Sequence, residues 1–198
     1  MKKVLLILLG VGIIAILAFN NYTNEPQILL HSDYINSSNK DLIGKETIIK
    51  HSDNTQEKRE KSISKSNIVK SSDEYIQDET EVSQFIVSNN KDDYITPEII
   101  LINGSIGVFT KSDGSGWNLE KEDQLILNFN KYQSEVVQEQ ALIVGYIKDG
   151  HLTSGEIFKS IEGSYKYIVN EPGEYYIYVL NASSDNLALK EGTIISTK

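Results

Sequence analysis

From Tyr94 to the C-terminus, short runs of β-branched and aromatic residues alternate with turn residues at intervals of about ten. That spacing leaves this half of the chain little to fold into except packed antiparallel sheets. Ten of the thirteen glycines, seven of the eleven tyrosines and the single tryptophan lie in residues 95–198. The runs expected as strands are Glu98–Ile102, Gln124–Asn130, Ala141–Lys148, Glu156–Ile161, Ser164–Asn170, Glu174–Asn181, Asn186–Lys190 and Thr193–Thr197, with Ile106–Phe109 as a possible ninth.

The turns between them have chemistry of their own. Asp149-Gly150 suits a tight reversal with positive φ at both central positions. Glu171-Pro172-Gly173 fits a type II turn, because proline presets φ and glycine accepts the positive value. It is expected to join Tyr165–Val169 to Tyr175–Leu180 as a hairpin. Glu191-Gly192 makes the last reversal. No two runs are separated by a helix-length pattern, so the sheets are expected to be antiparallel.

Alternation points to one core. Leu125, Leu127 and Phe129 share one side of their run, opposite Ile126, Asn128 and Asn130. Leu142–Ile147 and Tyr175–Leu180 are apolar on both faces, as expected of central strands or of a face that meets a partner.

The first part of the chain differs. Met1-Lys2-Lys3 precedes Val4–Phe19, sixteen residues without a charge. As a helix at ~1.5 Å per residue this run spans about 24 Å, short of a roughly 30 Å hydrocarbon core, and extension through Tyr22 lengthens it to about 28 Å. Both a retained single-span anchor and a cleaved signal peptide remain open. No small-residue pair sits at cleavage spacing, which favours the anchor. Basic residues before the run and none after it until Lys40 put the N-terminus in the cytoplasm and the rest outside. The chain has no cysteine, which excludes disulfides and a lipid-modified cysteine, and fits a bacterial exporter.

Residues 23–78 are rich in Ser, Asn and Lys with scattered single aliphatics, so we expect a disordered or partly helical linker. Glu74–Val87 is ambiguous: five apolar residues could line one helix face, or Val82–Val87 could be a strand. The expected organisation is a signal anchor or signal peptide at 1–22, the linker at 23–78 and a β-sandwich domain at 79–198.

Motifs for chemistry are missing. His31, His51 and His151 have no second histidine at metal spacing. Ser112-Asp113-Gly114-Ser115-Gly116-Trp117 is neither a nucleophile elbow nor a phosphate loop, and reads as a flexible connection into Trp117. Neither Lys111–Gly116 nor Ser183–Asn186 has the ligand spacing of a calcium loop. Glu120, Glu122 and Asp123 read as solvated turn charge. Residues 95–198 carry eight Lys/Arg and fourteen Asp/Glu, net −6, which gives no footprint for nucleic acid or anionic lipid. No catalytic, cofactor-binding or metal residue is expected, and no cofactor.

Aromatics are the remaining signal. If Tyr175, Ile177 and Val179 face the core, Tyr176 and Tyr178 share the other face, where an exposed row would stack on sugar rings or anchor a protein. Cross-strand aromatic pairs that merely stabilise the sheet are the competing reading. Trp117 divides in the same way, between ligand contact and the capped end of a core.

The pattern Trp117-Asn118-Leu119…Asp123-Gln124-Leu125…Phe129, with Gly173-Glu174-Tyr175-Tyr176…Asn181-Ala182-Ser183-Ser184…Leu187…Gly192, covers about the last eighty residues. It resembles the small jelly-roll or GOLD-like β-sandwich ectodomains of bacterial exported or membrane-anchored proteins. The resemblance implies a non-enzymatic extracytoplasmic module and carries no functional residue. The expected protein is therefore all-β: an antiparallel, jelly-roll-like β-sandwich of about eight strands behind an N-terminal helix and a flexible stalk. It is held to the cell membrane through residues 1–22 with its C-terminus outside, or secreted if the leader is cleaved. Expected partners are an envelope protein or a cell-wall glycan, contacted through Trp117, Tyr176 and Tyr178, and not nucleic acid; an enzyme with an unrecognised site is the remaining alternative.

Overall fold

The computed structural model describes residue 29 and residues 31–45, 68–69, 80–91 and 93–197. The expected anchor and most of the expected linker lie outside the described residues. What is described is all-β. In chain order the strands are β1 (Asp33–Tyr34), β2 (Val82–Ile86), β3 (Ser88–Asn90), β4 (Asp93–Thr96), β5 (Ile99–Leu101), β6 (Ile106–Thr110), β7 (Trp117–Leu119) and β8 (Gln124–Asn130). They continue with β9 (Leu142–Lys148), β10 (His151–Leu152), β11 (Glu156–Phe158), β12 (Glu162–Ile168), β13 (Gly173–Asn181), β14 (Leu187–Leu189) and β15 (Gly192–Thr197). One 3-10 turn, Lys40–Leu42, is the single helical element among them. Every expected strand is present, and the extra ones are short pieces of two to five residues.

Three sheets result. A seven-stranded sheet has the path β10-β9-β13-β6-β2, with β11 also on β9 and β7 also on β13. A five-stranded sheet runs β12-β8-β15-β4-β3, and a small sheet runs β1-β5-β14. Leu125, Leu127 and Phe129 of the five-stranded sheet share one buried cluster with Val144, Tyr175 and Ile177 of the seven-stranded sheet. The expected inward sides are therefore the observed ones, in a sandwich-like arrangement. β9 and β13 lie inside the larger sheet and bury residues on both faces, one in the core between the sheets and the other under a second apolar cluster.

Three expectations change. First, β12 and β13 do not form a hairpin: Glu171-Pro172-Gly173 arches from the five-stranded to the seven-stranded sheet. A proline-glycine reversal sets the direction of the chain but not which sheet receives the next strand, and β13 finds its partners in β9 and β6. Second, one pair is parallel. Val82–Ile86 runs alongside Ile106–Thr110 in register, Phe85 opposite Phe109. The chain leaves this sheet after β2 and visits both other sheets before returning as β6, so it can re-enter in the same direction.

Third, part of the segment read as linker belongs to the sheets. Asp33 pairs with Ile100 and Tyr34 with Ile99. The Ser32 and Asn39 side chains are buried. Asn186 Nδ2 donates to Leu42 O at 3.2 Å. Single aliphatics in polar sequence hide such a segment, because it is held by hydrogen bonds to the domain rather than by an apolar stripe of its own.

A second apolar cluster covers the outer face of the seven-stranded sheet. Ile106, Val108, Ile147, Leu152 and Tyr178 form it, with Ile68 and Val69 among its partly buried neighbours. Buried polar groups close the end where β8, β9 and β14 meet. Lys131, fully buried, donates from Nζ to Gln140 O (2.5 Å), Lys159 O (3.1 Å) and Phe158 O (3.3 Å). Burial pushes this ammonium below its ordinary pKa. Asp185, also fully buried, accepts from Gln140 Nε2 at 2.7 Å.

Candidate functional site

The chain changes sheets at Val87, between β2 and β3, and an open groove forms there. Val87 is tied back by its amide to Thr110 O at 2.9 Å. One wall is Ser88, Asn89 and Tyr94 of the five-stranded sheet, and the other is Lys111, Ser112 and Asp113, which follow β6. The cavity is about 470 Å³. A second depression of about 300 Å³ shares Ser88 and is lined by Tyr34, Thr96, Pro97, Glu98 and Glu191.

The Lys111–Ser115 wall, expected to be flexible, is a hydrogen-bonded turn. Lys111 N–H donates to Ser115 O and Gly114 N–H to Lys111 O, both at 2.9 Å. Gly114 sits at φ +81°, open to a residue without Cβ. Ser115 donates its amide (3.0 Å) and its hydroxyl (2.6 Å) to Asp113 Oδ1. The Ser115 hydroxyl, then its amide, hold the Asp113 carboxyl below its ordinary pKa. The group is therefore an ionised acceptor fixed at the rim.

Trp117 lies behind this wall, 2% exposed. Tyr94 meets it edge-on, with ring centroids 5.4 Å apart and planes at 85°. The Lys111 Nζ stands 5.8 Å from both ring centroids. The buried Trp117 Nε1 finds no hydrogen-bond partner among the described residues. Tyr94 is thus a groove aromatic packed T-shaped against a fixed indole, with the Lys111 cation near its ring and the Asp113 anion on the opposite wall. Such a surface can hold a ligand that offers both an apolar face and hydroxyl or amide groups.

The three aromatics singled out from sequence do not form an exposed row. Trp117 is interior, as above. Tyr178 is 3% exposed, and its hydroxyl donates to Thr153 O at 2.6 Å. Its ring occupies space left by Gly145 and Gly155, where a Cβ would come within 2.6 Å and 2.8 Å of Tyr178 atoms. Tyr176 is half-buried in the outer cluster, and burial, then a hydrogen bond to Glu174, raise its pKa. The outer face of β13 is covered because Leu152 and Val69 pack over it, a contact that strand alternation does not encode.

A second aromatic group joins the two sheets. Tyr146 and Tyr167 stack with centroids 3.9 Å apart, and Tyr175 lies 5.5 Å and 5.7 Å from them. Lys148 sits 5.7 Å from the Tyr175 ring and pairs with Glu171, which raises the lysine pKa. Desolvation is the first cause of the raised Tyr146 and Tyr175 pKa values. Among the described residues no three His, Asp or Glu side chains gather as a metal would require.

Sequence reasoning missed Tyr94, Lys111 and Asp113. The signal was the Ser112–Trp117 segment, but the second wall comes from β3 and β4, more than a dozen residues earlier.

These features define an all-β domain with an open, mixed aromatic and polar groove. No protein-family model matches the chain, and no curated protein does. Among solved structures it is similar to a periplasmic inhibitor of g-type lysozyme, PliG of Aeromonas hydrophila, at 9% identity and TM-score 0.40 over 59% of this chain and 97% of that one. It is also similar to a pre-peptidase C-terminal domain of collagenase from Bacillus anthracis, at 12% identity and TM-score 0.30 over 62% and 100%. A family GH115 4-O-methyl-α-glucuronidase with specificity for decorated arabinogalactans matches at 9% identity and TM-score 0.39 over 52% of this chain, which spans only 15% of that enzyme. The described residues are all-β, as the resemblance read from the sequence implies. Likeness at these scores carries no argument about what this chain does.

Proposed function

We propose that this chain is an extracytoplasmic, membrane-anchored binding or accessory module of a bacterial cell envelope, built on a jelly-roll-like sandwich and without catalysis. The lysines and apolar run at Met1–Phe19 support the location. The observation that carries the binding role is the groove, where Tyr94 of the five-stranded sheet and Asp113 of the turn after β6 line one cavity. Asp113 is held as the ionised form, which suits it to accept hydrogen bonds from a ligand and not to donate a proton in a reaction.

Cell-wall glycan is the ligand class this arrangement favours over a protein partner. A sugar ring offers an apolar face to Tyr94 and hydroxyls to Asp113, Asn89 and Lys111. Full-length protein in detergent, titrated with soluble wall-glycan fragments, tests both points. The emission of Trp117, the sole tryptophan, reports on its contact with Tyr94. A saturable change, lost in Tyr94→Ala and weakened in Asp113→Asn, is expected. A flat titration with the folded wild-type protein rejects the glycan reading. Protease treatment of intact cells that leaves the C-terminal domain uncut rejects the location.

A further inference from the structure

We propose that two copies of this chain pair edge to edge through β12, antiparallel, with Ser164 on the two-fold axis. The proposal is independent of what the groove binds. β12 is seven residues long and ends the five-stranded sheet, and among the described residues it pairs with β8 alone. The other outermost strands, β1, β2, β3, β7, β10, β11 and β14, have two to five residues. Unpaired strand edges of this length template the addition of another strand.

The backbone direction is set by the existing ladder. Ile161 O accepts from Lys131 N–H at 2.7 Å, and Val169 N–H donates to Asp123 O at 2.9 Å. Odd-numbered residues of β12 therefore turn their amides and carbonyls to β8, and Glu162, Ser164, Lys166 and Ile168 turn theirs outward. In agreement, among the described residues the Glu162 carbonyl accepts from the neighbouring Ser160 hydroxyl, at 2.7 Å, and not from another strand.

Charge then selects the register. The side chains of Glu162, Ser164 and Lys166 are exposed on one face, and neither charged residue has an ion-pair partner among the described residues. Within a strand they stand about 13 Å apart, too far to meet. With Ser164 opposite Ser164, each Glu162 lies directly opposite the second copy's Lys166 in a hydrogen-bonded pair, twice by symmetry, with Cα atoms about 5.5 Å apart. Centring on Lys166 or Glu162 instead opposes like charges. The same register sets Ile161, 44% exposed, opposite the half-buried Tyr167 ring on the other face. Both faces of the new pair are then complementary.

The chain has no cysteine, so a single introduced thiol reports position. Full-length Ser164→Cys in membranes, treated with a short bismaleimide, is expected to give several-fold more covalent dimer than Ser184→Cys, an exposed position away from β12. In the Ser164→Cys background, Glu162→Lys or Lys166→Glu alone is expected to cut the dimer several-fold, and the two together to restore it. Circular dichroism confirms that each variant is folded. Equal cross-linking at Ser164 and Ser184 overturns the interface. Insensitivity to single charge reversal, or failure of the double reversal to restore the dimer, overturns the register.

Discussion

The amide of Gly44 donates to the carbonyl oxygen of Asn186 at 3.1 Å, and the amide of Asn186 returns a bond to Lys45 O at 3.0 Å. This reciprocal pair stitches a segment from the polar first part of the chain onto the loop between β13 and β14. Gly44 sits at φ +64°, and a Cβ there would come within 2.8 Å of the Ser134 Cα. Gly44→Val combines a strained φ with a backbone clash and is expected to cost about 1–3 kcal/mol. Chemical denaturation measures it. A midpoint equal to wild type would show that residues 31–45 contribute nothing to stability.

The Lys131 ammonium satisfies three carbonyls at once. Lys131→Met keeps most of the volume but leaves those acceptors without a donor. A loss of about 1–3 kcal/mol is expected, because an unmade hydrogen bond in a buried site costs the desolvation of the group left behind. A urea midpoint that stays or rises would show that the desolvation of the ammonium outweighs its bonds.

Tyr178 is expected to behave as a core residue. Tyr178→Phe keeps the ring and loses the hydroxyl's bond to Thr153 O, worth about 0.5–1.5 kcal/mol. Tyr178→Ala empties the space beside Gly145 and Gly155 and is expected to cost about 3–5 kcal/mol. Thermal melts of both variants and of Tyr176→Ala rank them. Tyr176→Ala as damaging as Tyr178→Ala would contradict the difference in burial.

Alkaline pH should unfold this domain. Tyr132, hydrogen-bonded to Glu98, has its pKa raised from 10.0 to about 12. Burial raises Tyr146, Tyr165, Tyr175 and Tyr176. A folded-state pKa above the unfolded one contributes stability that is complete below pH 10 and is lost as pH rises through the folded value. The depressed Lys131 acts in the opposite sense, adding stability as pH climbs from its lowered value towards 10.5, but it is one group against five. Tyrosinate absorbance should therefore rise together with the loss of circular dichroism between pH 10 and about 12. Smooth tyrosine titration in a folded protein would refute it.

Strands were readable where local pattern suffices. Gln124–Asn130 is β8 as expected, and its alternation of Leu125, Leu127 and Phe129 with partly exposed neighbours matches the observed burial. Asp149 at φ +54° and Gly150 at φ +85° make the tight turn their sequence implies. Pairing was not readable in the same way. Glu171-Pro172-Gly173 turns the chain as expected but delivers β13 to another sheet. Groove residues were least visible, since Tyr94 and Asp113 meet only after the chain has changed sheets twice.

By itself, the sequence determined that the described part of the chain is all-β, where most strands run, which side of β8 faces the core and where the backbone must reverse, since alternation and turn stereochemistry act over a few residues. Tertiary structure alone decided which strands are neighbours, that β2 and β6 run parallel, that residues 31–45 join the sheets, and that Trp117 and Tyr178 are interior. These depend on contacts between segments tens of residues apart, whose energies come from shared burial and mutual hydrogen bonding that no short stretch of chain possesses on its own.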